Sequence, residues 1–159
     1  APEAEKDHCE IVGSKGKIEF SVFGKQDILL TTKEGIKTFS FEKLEVWIEA
    51  KEFSKMIYHI TLHFPETEKF GLITQLRRAS VSIASNIAEG SARKTFKDKA
   101  HFTTIAFGSS VEVLNQLIIS YELNFISEKE YSVLRKNLES ITNKLNSLRN
   151  YQLEKSENK

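Results

Sequence analysis

Residues 75–90 read QLRRASVSIASNIAEG, and this stretch decides the fold. Its apolar residues recur at intervals of three and four, which is the spacing of one face of an α-helix. Many of the other residues are small and let a neighbouring helix approach closely. The pattern predicts a helix over about 67–89 that ends at Gly90, since glycine is the usual residue just past a helix end. Its predicted seam consists of Leu72, Leu76, Ala79, Ile83 and Asn86.

The same periodicity predicts one helix before this stretch and two after it. The first covers about 40–64, with Ser40 as N-cap, and its apolar stripe is Val46, Ala50, Phe53, Ile57, Ile60 and Phe64. The third begins at Thr95, which forms a capping-box-like pair with Asp98, and runs to about 124 with two apolar faces. The fourth begins at the capping box of Ser127 and Glu130. Its stripe is Tyr131, Leu134, Leu138, Ile141, Leu145 and Leu148.

Short connections between long amphipathic helices favour antiparallel neighbours. The predicted fold is therefore all-α, an antiparallel up-and-down four-helix bundle over 41–153, followed by a polar tail over 154–159 that frays. Residues 1–40 differ, because they hold four of the seven glycines and alternate apolar with polar residues around Ile18 and Phe20. They predict a small β-hairpin or meander of two or three strands. This extension is either a docking arm for a partner or subunit, or a plain decoration.

Composition narrows the class of protein. The chain has 159 residues, 40% of them hydrophobic, with 23 basic and 22 acidic side chains and a formal net charge of +1. This balance is typical of a globular domain and excludes a uniformly basic nucleic-acid binder. One cysteine and four histidines exclude a disulfide framework and a cysteine-rich zinc site. With neither a long apolar run nor a secretory signal, we expect a cytoplasmic protein without a membrane span.

Charge is unevenly distributed along the chain. Residues 41–68 carry three lysines against six glutamates, whereas residues 69–101 have a net charge of +5. A clustered basic surface is typical of phosphate binding, and it would become a belt in a ring oligomer. The alternative is a solvated face balanced by the acidic first helix. The candidate nucleic-acid-binding residues are Arg77, Arg93, Lys94, Lys97 and Lys99.

Polar residues interrupt the apolar seam of the second and third helices. Because a buried amide or charge is costly without a partner, these groups should meet one another. We expect Arg77 or Arg78 to pair with Glu112, and Asn86 to bond a backbone or serine group. They either set the register of the bundle or line a binding site at its end near Glu89. The predicted polar seam consists of Arg78, Ser82, Asn86, Glu89, Ser109 and Glu112.

Catalytic signals are weak. His59 and His63 share a helix face at a spacing that could hold a metal, but no carboxylate motif accompanies them. The chain contains no Gly-x-Ser-x-Gly elbow and no phosphate-binding Walker loop. We therefore expect no enzymatic activity, no metal and no cofactor, and we interpret the two histidines as a surface or core pair.

Residues 41–151 resemble the four-helix-bundle family of bacterial 23S rRNA intervening-sequence proteins. The resemblance rests on Phe41, Leu44 and Trp47, on Phe64-Pro65 with Phe70-Gly71-Leu72, on the 75–90 string, and on Ala106, Gly108, Ser109, Glu112 and Leu114. It implies a homo-oligomeric ring, with a pentamer as the expected form, and no enzymatic activity. The chain is also similar to the accessory proteins of diversity-generating retroelements, which bind a reverse transcriptase and nucleic acid.

Two functional hypotheses follow. The first is a non-enzymatic, ring-forming bundle that binds structured RNA or a ribosome-associated ribonucleoprotein through its basic second helix and the loop after it. The alternative is a protein-binding adaptor, such as a reverse-transcriptase accessory protein, whose β arm docks a partner. A third hypothesis, a hydrolase or metal enzyme, has the least support in the sequence.

Overall fold

The computed structural model describes residues 8–13, 16–21, 28–32, 35–39 and 41–157. The chain divides into two compact units, Ala1–Ser40 and Phe41–Lys159. The helical unit carries the candidate site.

The second unit consists of four long helices, as the hydrophobic periodicity predicts. They are α1 (Glu45–Ile60), α2 (Leu72–Ser91), α3 (Phe96–Glu122) and α4 (Glu128–Glu157). Short 3-10 turns lie before α1 and between α1 and α2, at Phe41–Lys43, Thr61–His63 and Glu66–Glu68. The prediction of a predominantly helical, four-helix domain is confirmed.

Contacts between side chains show that neighbouring helices run antiparallel. Between α1 and α2, the Ser54 hydroxyl donates a hydrogen bond to the Ser80 carbonyl. Thr61, the residue just after α1, accepts a hydrogen bond from Arg77. Residue numbers thus rise on one helix as they fall on the other. The same order holds for Ser82–Ser109 and Gly90–Phe102 (α2 and α3), Thr103–Gln152 and Tyr121–Tyr131 (α3 and α4), and Glu45–Lys144 and Glu49–Ser140 (α1 and α4).

One hydrophobic core fills the space between the helices. The buried apolar residues of α1 and α4 fall on the predicted stripes, and the side chains of Phe53, Leu76 and Leu117 are 0 to 1% exposed. Burying such a side chain stabilises the fold by about 1.5–3 kcal/mol. The largest fully buried apolar side chains are Phe53, Ile57, Leu76, Ile83, Val113, Leu117, Leu134, Leu138, Ile141 and Leu145.

The predicted N-terminal caps of α3 and α4 are confirmed, because the expected capping hydrogen bonds form. The Thr95 hydroxyl oxygen accepts a bond from the Asp98 backbone amide at 3.0 Å. The Ser127 hydroxyl accepts from the Glu130 amide at 3.3 Å, while the Glu130 carboxylate accepts from the Ser127 amide at 2.8 Å. These bonds satisfy amides at the first turns of α3 and α4 that have no partner within the helix.

The starts of α1 and α2 differ from the predictions. Helix α1 begins at Glu45, because the chain forms a 3-10 turn at Phe41–Lys43 and Leu44 is extended. The ring centres of Phe41 and Trp47 lie 4.9 Å apart, edge to face. The predicted cap Ser40 lies outside the described residues. Helix α2 begins at Leu72 instead of near residue 67, and its first amide donates to the Glu68 carboxylate at 3.1 Å.

The ends of α2 and α4 also differ. Gly90 is a buried residue inside α2 and not the residue that stops it, since the helix continues to Ser91. Its role is to admit the side chain of Phe102 from α3. Helix α4 continues to Glu157, so residues 154–157 of the tail predicted to fray are helical.

Helix α3 is long and apolar enough, by length and composition alone, to cross a membrane. A helix at the centre of a bundle passes the same test because it is apolar on more than one side. In this structure α3 contacts both α2 and α4, and polar Ser109, Gln116 and Ser120 are among its buried residues. The absence of a membrane span stays a prediction.

The described parts of the first unit are four antiparallel strands in the order β1-β2-β3-β4. They are β1 (His8–Gly13), β2 (Gly16–Ser21), β3 (Ile28–Thr32) and β4 (Gly35–Phe39). The pairing places Cys9 opposite Phe20, Ile18 opposite Leu30, and Leu29 opposite Thr38. The connections at 14–15, 22–27 and 33–34 lie outside the described residues. A docking role for this unit stays a prediction.

Candidate nucleic-acid interface

The connection between α2 and α3 brings four basic side chains to one end of the bundle. Helix α2 ends at Ser91 and α3 begins at Phe96, so only four residues separate two antiparallel helices. The close approach of Gly90 to Phe102 holds this turn against the core. We call the four side chains on the turn and on the first turn of α3 the basic corner: Arg93, Lys94, Lys97 and Lys99.

Two of these cations extend freely from the corner. Lys94 and Lys97 are exposed, and within the part of the chain that the structure describes neither has an ion-pair or hydrogen-bond partner. They flank the N-terminus of α3, where the aligned backbone dipoles add partial positive charge. The negative charge of Asp98 in the first turn offsets part of this field. Its carboxylate accepts a hydrogen bond from the Thr95 hydroxyl at 2.6 Å.

The other two cations of the basic corner are held by neighbours. The Arg93 guanidinium forms an ion pair with Glu89 and lies 4.4 Å from the ring centre of Phe102. The Lys99 ammonium lies 5.5 Å from the ring centre of Phe96. Arg93 and Lys99 thus have partners within the protein, whereas Lys94 and Lys97 have none among the described residues.

Arg77 lies apart from the basic corner. It belongs to the second turn of α2, and the sixteen residues to Arg93 correspond to about 24 Å of helix rise. Its Nε donates to the Thr61 hydroxyl at 2.8 Å, and its guanidinium lies 4.8 Å from the Tyr58 ring centre. The predicted set of five nucleic-acid-binding residues is therefore brought together only in part.

The predicted pairing of Arg77 or Arg78 with Glu112 is wrong. Arg77 faces α1, and Arg78 is exposed with no hydrogen-bond or ion-pair partner among the described residues. Glu112 is also exposed, and it accepts a bond from the Gln116 amide on its own helix at 3.1 Å. Arg78 and Glu112 remain in water because removing two charges from solvent costs more than a buried pair returns.

Half of the predicted polar seam does form. The hydroxyls of Ser82 and Ser109 lie 2.9 Å apart and join α2 to α3. The Asn86 amide donates to the Ser82 carbonyl at 2.8 Å and to its hydroxyl at 3.1 Å, as expected for a backbone or serine partner. Arg78, Glu89 and Glu112 do not join this seam and lie exposed.

Sequence reasoning missed the equivalent polar contacts at the other helix pairs. The Ser54 hydroxyl donates to the Ser80 carbonyl at 2.9 Å, and the Ser140 hydroxyl donates to Glu49 at 3.0 Å. Deep between α3 and α4, the Thr103 hydroxyl donates to the Gln152 side chain at 2.8 Å. The available signal was a hydroxyl or amide within an apolar stripe, which requires a partner when it is buried.

His59 and His63 are exposed, and their rings meet edge to face at 6.0 Å. Across the described ranges, no three histidine, cysteine or carboxylate side chains converge in a way that could hold a metal.

Comparison with known proteins shows a family match and a similar fold for the helical unit. Residues 42–147 match the 23S rRNA-intervening sequence protein family, a match that spans α1, α2, α3 and most of α4. A crystal structure of a protein with unknown function from the S23 ribosomal protein family of Bacteroides thetaiotaomicron has a similar fold. The TM-score is 0.60 at 22% identity, over 65% of this chain and 97% of that chain. No curated protein matches. Since the family match covers more than half of the chain, the protein belongs to the 23S rRNA-intervening sequence protein family.

Proposed function

We propose that the protein is a non-enzymatic RNA-binding bundle that contacts the phosphate backbone of structured RNA through the basic corner. The observation that carries this proposal is the position of Lys94 and Lys97, which are exposed beside the N-terminus of α3 and unpaired among the described residues. The link of the family name to 23S rRNA supports RNA as the polyanion.

Phosphate contact is the interaction that these residues suit. A lysine ammonium is a point charge on a flexible stem, which fits a sequence-independent contact with a backbone. Arg93 and Lys99, which lie over Phe102 and Phe96, would add two contacts beside those of Lys94 and Lys97. The expected binding is thus strongly salt-dependent and weakly sequence-specific.

Assembly would strengthen this contact. In the proposed cytoplasmic homo-oligomer, with five subunits as the expected number, each subunit contributes one basic corner. Several corners on one RNA raise the overall affinity without any new kind of interaction, because later binding steps become intramolecular.

The experiment that tests the proposal replaces Arg93, Lys94, Lys97 and Lys99 together by glutamine. Affinity for a labelled RNA stem-loop is then measured against salt concentration, with the oligomeric mass measured in parallel. The slope of log K against log salt should become shallower by about 0.9 for each phosphate that is no longer neutralised. An unchanged slope in a variant that keeps its oligomeric mass would contradict the proposal. It would favour the alternative, a protein-binding adaptor such as a reverse-transcriptase accessory protein of a diversity-generating retroelement.

A further inference from the structure

A groove of about 870 Å³ lies on the outside of the bundle, between α1 and α2. One wall extends from Trp47 to Tyr58 and the other from Arg77 to Ala88. Each wall covers eleven residue steps, which correspond to about 16 Å of helix. The groove is therefore as long as three helical turns, and it is separate from the basic corner at residues 93–99.

The surface of this groove is apolar although it faces solvent. The side chains of Tyr58, Leu62 and Val81 line it and are 47, 69 and 41% exposed. Ala84 and Ala88 lie on the α2 wall, where their small side chains leave room for a bulky group. A continuous exposed apolar strip of this kind marks an interaction site more often than a plain surface does.

The charged side chains that line the groove carry positive charge only. Lys51, Lys55 and Arg77 lie along it, and none of the described residues that line it is acidic. The two lysines form ion pairs with Glu52, with nitrogen–oxygen distances of 3.4 and 2.7 Å. Exposed pairs of this kind are worth less than about 1 kcal/mol, so a carboxylate on a ligand can replace Glu52.

We propose that this groove binds an amphipathic helix of a partner protein, with large apolar residues on one face and aspartate or glutamate beside them. The length fits about three turns, the alanines of α2 receive the large side chains, and the cations meet the acidic flank. This is the helix-in-groove mode of recognition. A nucleic acid fits less well, because phosphates gain nothing from a strip of Leu62, Val81 and alanine.

The chain contains its own reporter for the test. Trp47 is the only tryptophan in the sequence, and it lines the groove while half-buried. Its emission is recorded while a synthetic helical peptide of about 14 residues, a little under four turns, is added. The peptide carries leucines on one face and glutamates beside them. A second peptide has the same leucines with lysines in place of the glutamates. The acidic peptide should shift Trp47 emission saturably and bind at least about tenfold more tightly than the basic one.

Two valines supply a matched pair of variants. Val81→Glu places a carboxylate in the groove and should weaken the acidic peptide at least about tenfold. Val111→Glu makes the same change on α3, at a valine that is 50% exposed outside the groove, and should leave the affinity unchanged. Lys51→Glu with Lys55→Glu should reverse the preference toward the basic peptide.

Four results would overturn the proposal. The first is the absence of a saturable response to the acidic peptide. The second is equal affinity for both peptides, which would mean nonspecific apolar contact. The third is a shift of Trp47 emission by a single-stranded RNA that displaces the peptide. The fourth is a shift of Trp47 emission when the protein alone is diluted, together with a fall in its oligomeric mass. That result would identify a second copy of the chain as the occupant of the groove. Since the basic corner is intact in all these variants, their RNA affinity separates this proposal from the proposed function.

Discussion

Gly90 of α2 lies against Phe102 of α3 so closely that a Cβ at position 90 would be 2.9 Å from the Phe102 Cβ. The glycine is needed for this approach and not for an unusual backbone conformation, since α2 continues through it to Ser91. The contact fixes the turn that presents the basic corner. A residue expected to end a helix therefore determines how two helices meet.

We expect Gly90→Ala to destabilise the bundle. The added methyl group forces Phe102 or α3 to move, at a cost of about 1–3 kcal/mol, while the better helix propensity of alanine returns about 1 kcal/mol. The net loss should be about 1 kcal/mol, measured by urea unfolding. Gly108→Ala is the control, because nothing lies within 4 Å of the new methyl group, and it should stabilise the protein. Equal effects of the two substitutions would exclude the steric explanation.

The Thr103–Gln152 hydrogen bond joins α3 to α4 in a dry environment, with the two side chains 3 and 7% exposed. Thr103→Val keeps the shape but leaves the Gln152 oxygen without this donor, so it should cost about 1–3 kcal/mol of unfolding free energy. Combining it with Gln152→Met should recover part of that cost, because neither polar partner is then left unpaired. Strictly additive effects in chemical denaturation would show that the bond does not couple the two positions.

The capping box of α4 should make stability depend on acid pH. Hydrogen bonds from the Ser127 hydroxyl and amide hold the pKa of Glu130 below its ordinary value of 4.5, and nearby His63 also lowers it. The folded state thus binds fewer protons than the unfolded chain. The resulting stabilisation is complete above the ordinary value and is lost as pH falls through the folded pKa.

We expect Glu130→Gln to lower the unfolding free energy by about 0.5 kcal/mol at pH 7. The deficit relative to the wild type should shrink as the pH falls below 4.5, the ordinary pKa of this carboxyl group. Thermal unfolding at about pH 7 and about pH 3 measures both quantities. Glu128→Gln, in the same helical turn but without a bond to Ser127, should show a smaller effect. A deficit for Glu130→Gln that persists unchanged in acid would contradict the assignment.

We expect the predicted basic residues to contribute unequally to RNA binding. Lys94→Gln with Lys97→Gln should reduce the salt slope for a duplex RNA by about 1.8, since each phosphate contact contributes about 0.9. Lys129→Gln with Lys136→Gln is a matched pair of exposed lysines on α4 and should leave the slope unchanged. Filter binding at several salt concentrations measures all of these slopes.

Arg77→Gln should also leave the salt slope unchanged, because Arg77 is engaged with Thr61 and Tyr58 far from the basic corner. A reduction of slope equal to that of Lys94→Gln would instead place Arg77 on the RNA path. Its main expected effect is a weaker contact between α1 and α2, measured as a lower unfolding midpoint.

The helices themselves could be predicted from local signals. The stripe Leu134, Leu138, Ile141 and Leu145 is buried as its spacing requires, and the caps Thr95 and Ser127 bond as their residue types predict. These features depend on residues within one or two turns of each other, so the order of amino acids contains them completely. The exposure of Lys94 and Lys97 was not predictable in this way, because the sequence named them only as two of five candidate basic residues.

Partners across the bundle could not be predicted in this way. Periodicity identifies the face of a helix that is buried but not the residue opposite it. Arg77 or Arg78 was therefore expected at Glu112, whereas Arg77 bonds Thr61 and Arg78 is exposed. The groove between α1 and α2 also depends on which helices are neighbours. By itself the sequence determined the four helices, the N-terminal caps of α3 and α4, and the family. Only the tertiary structure decided which polar groups meet and which apolar surface stays open, because both depend on contacts between residues distant in the chain.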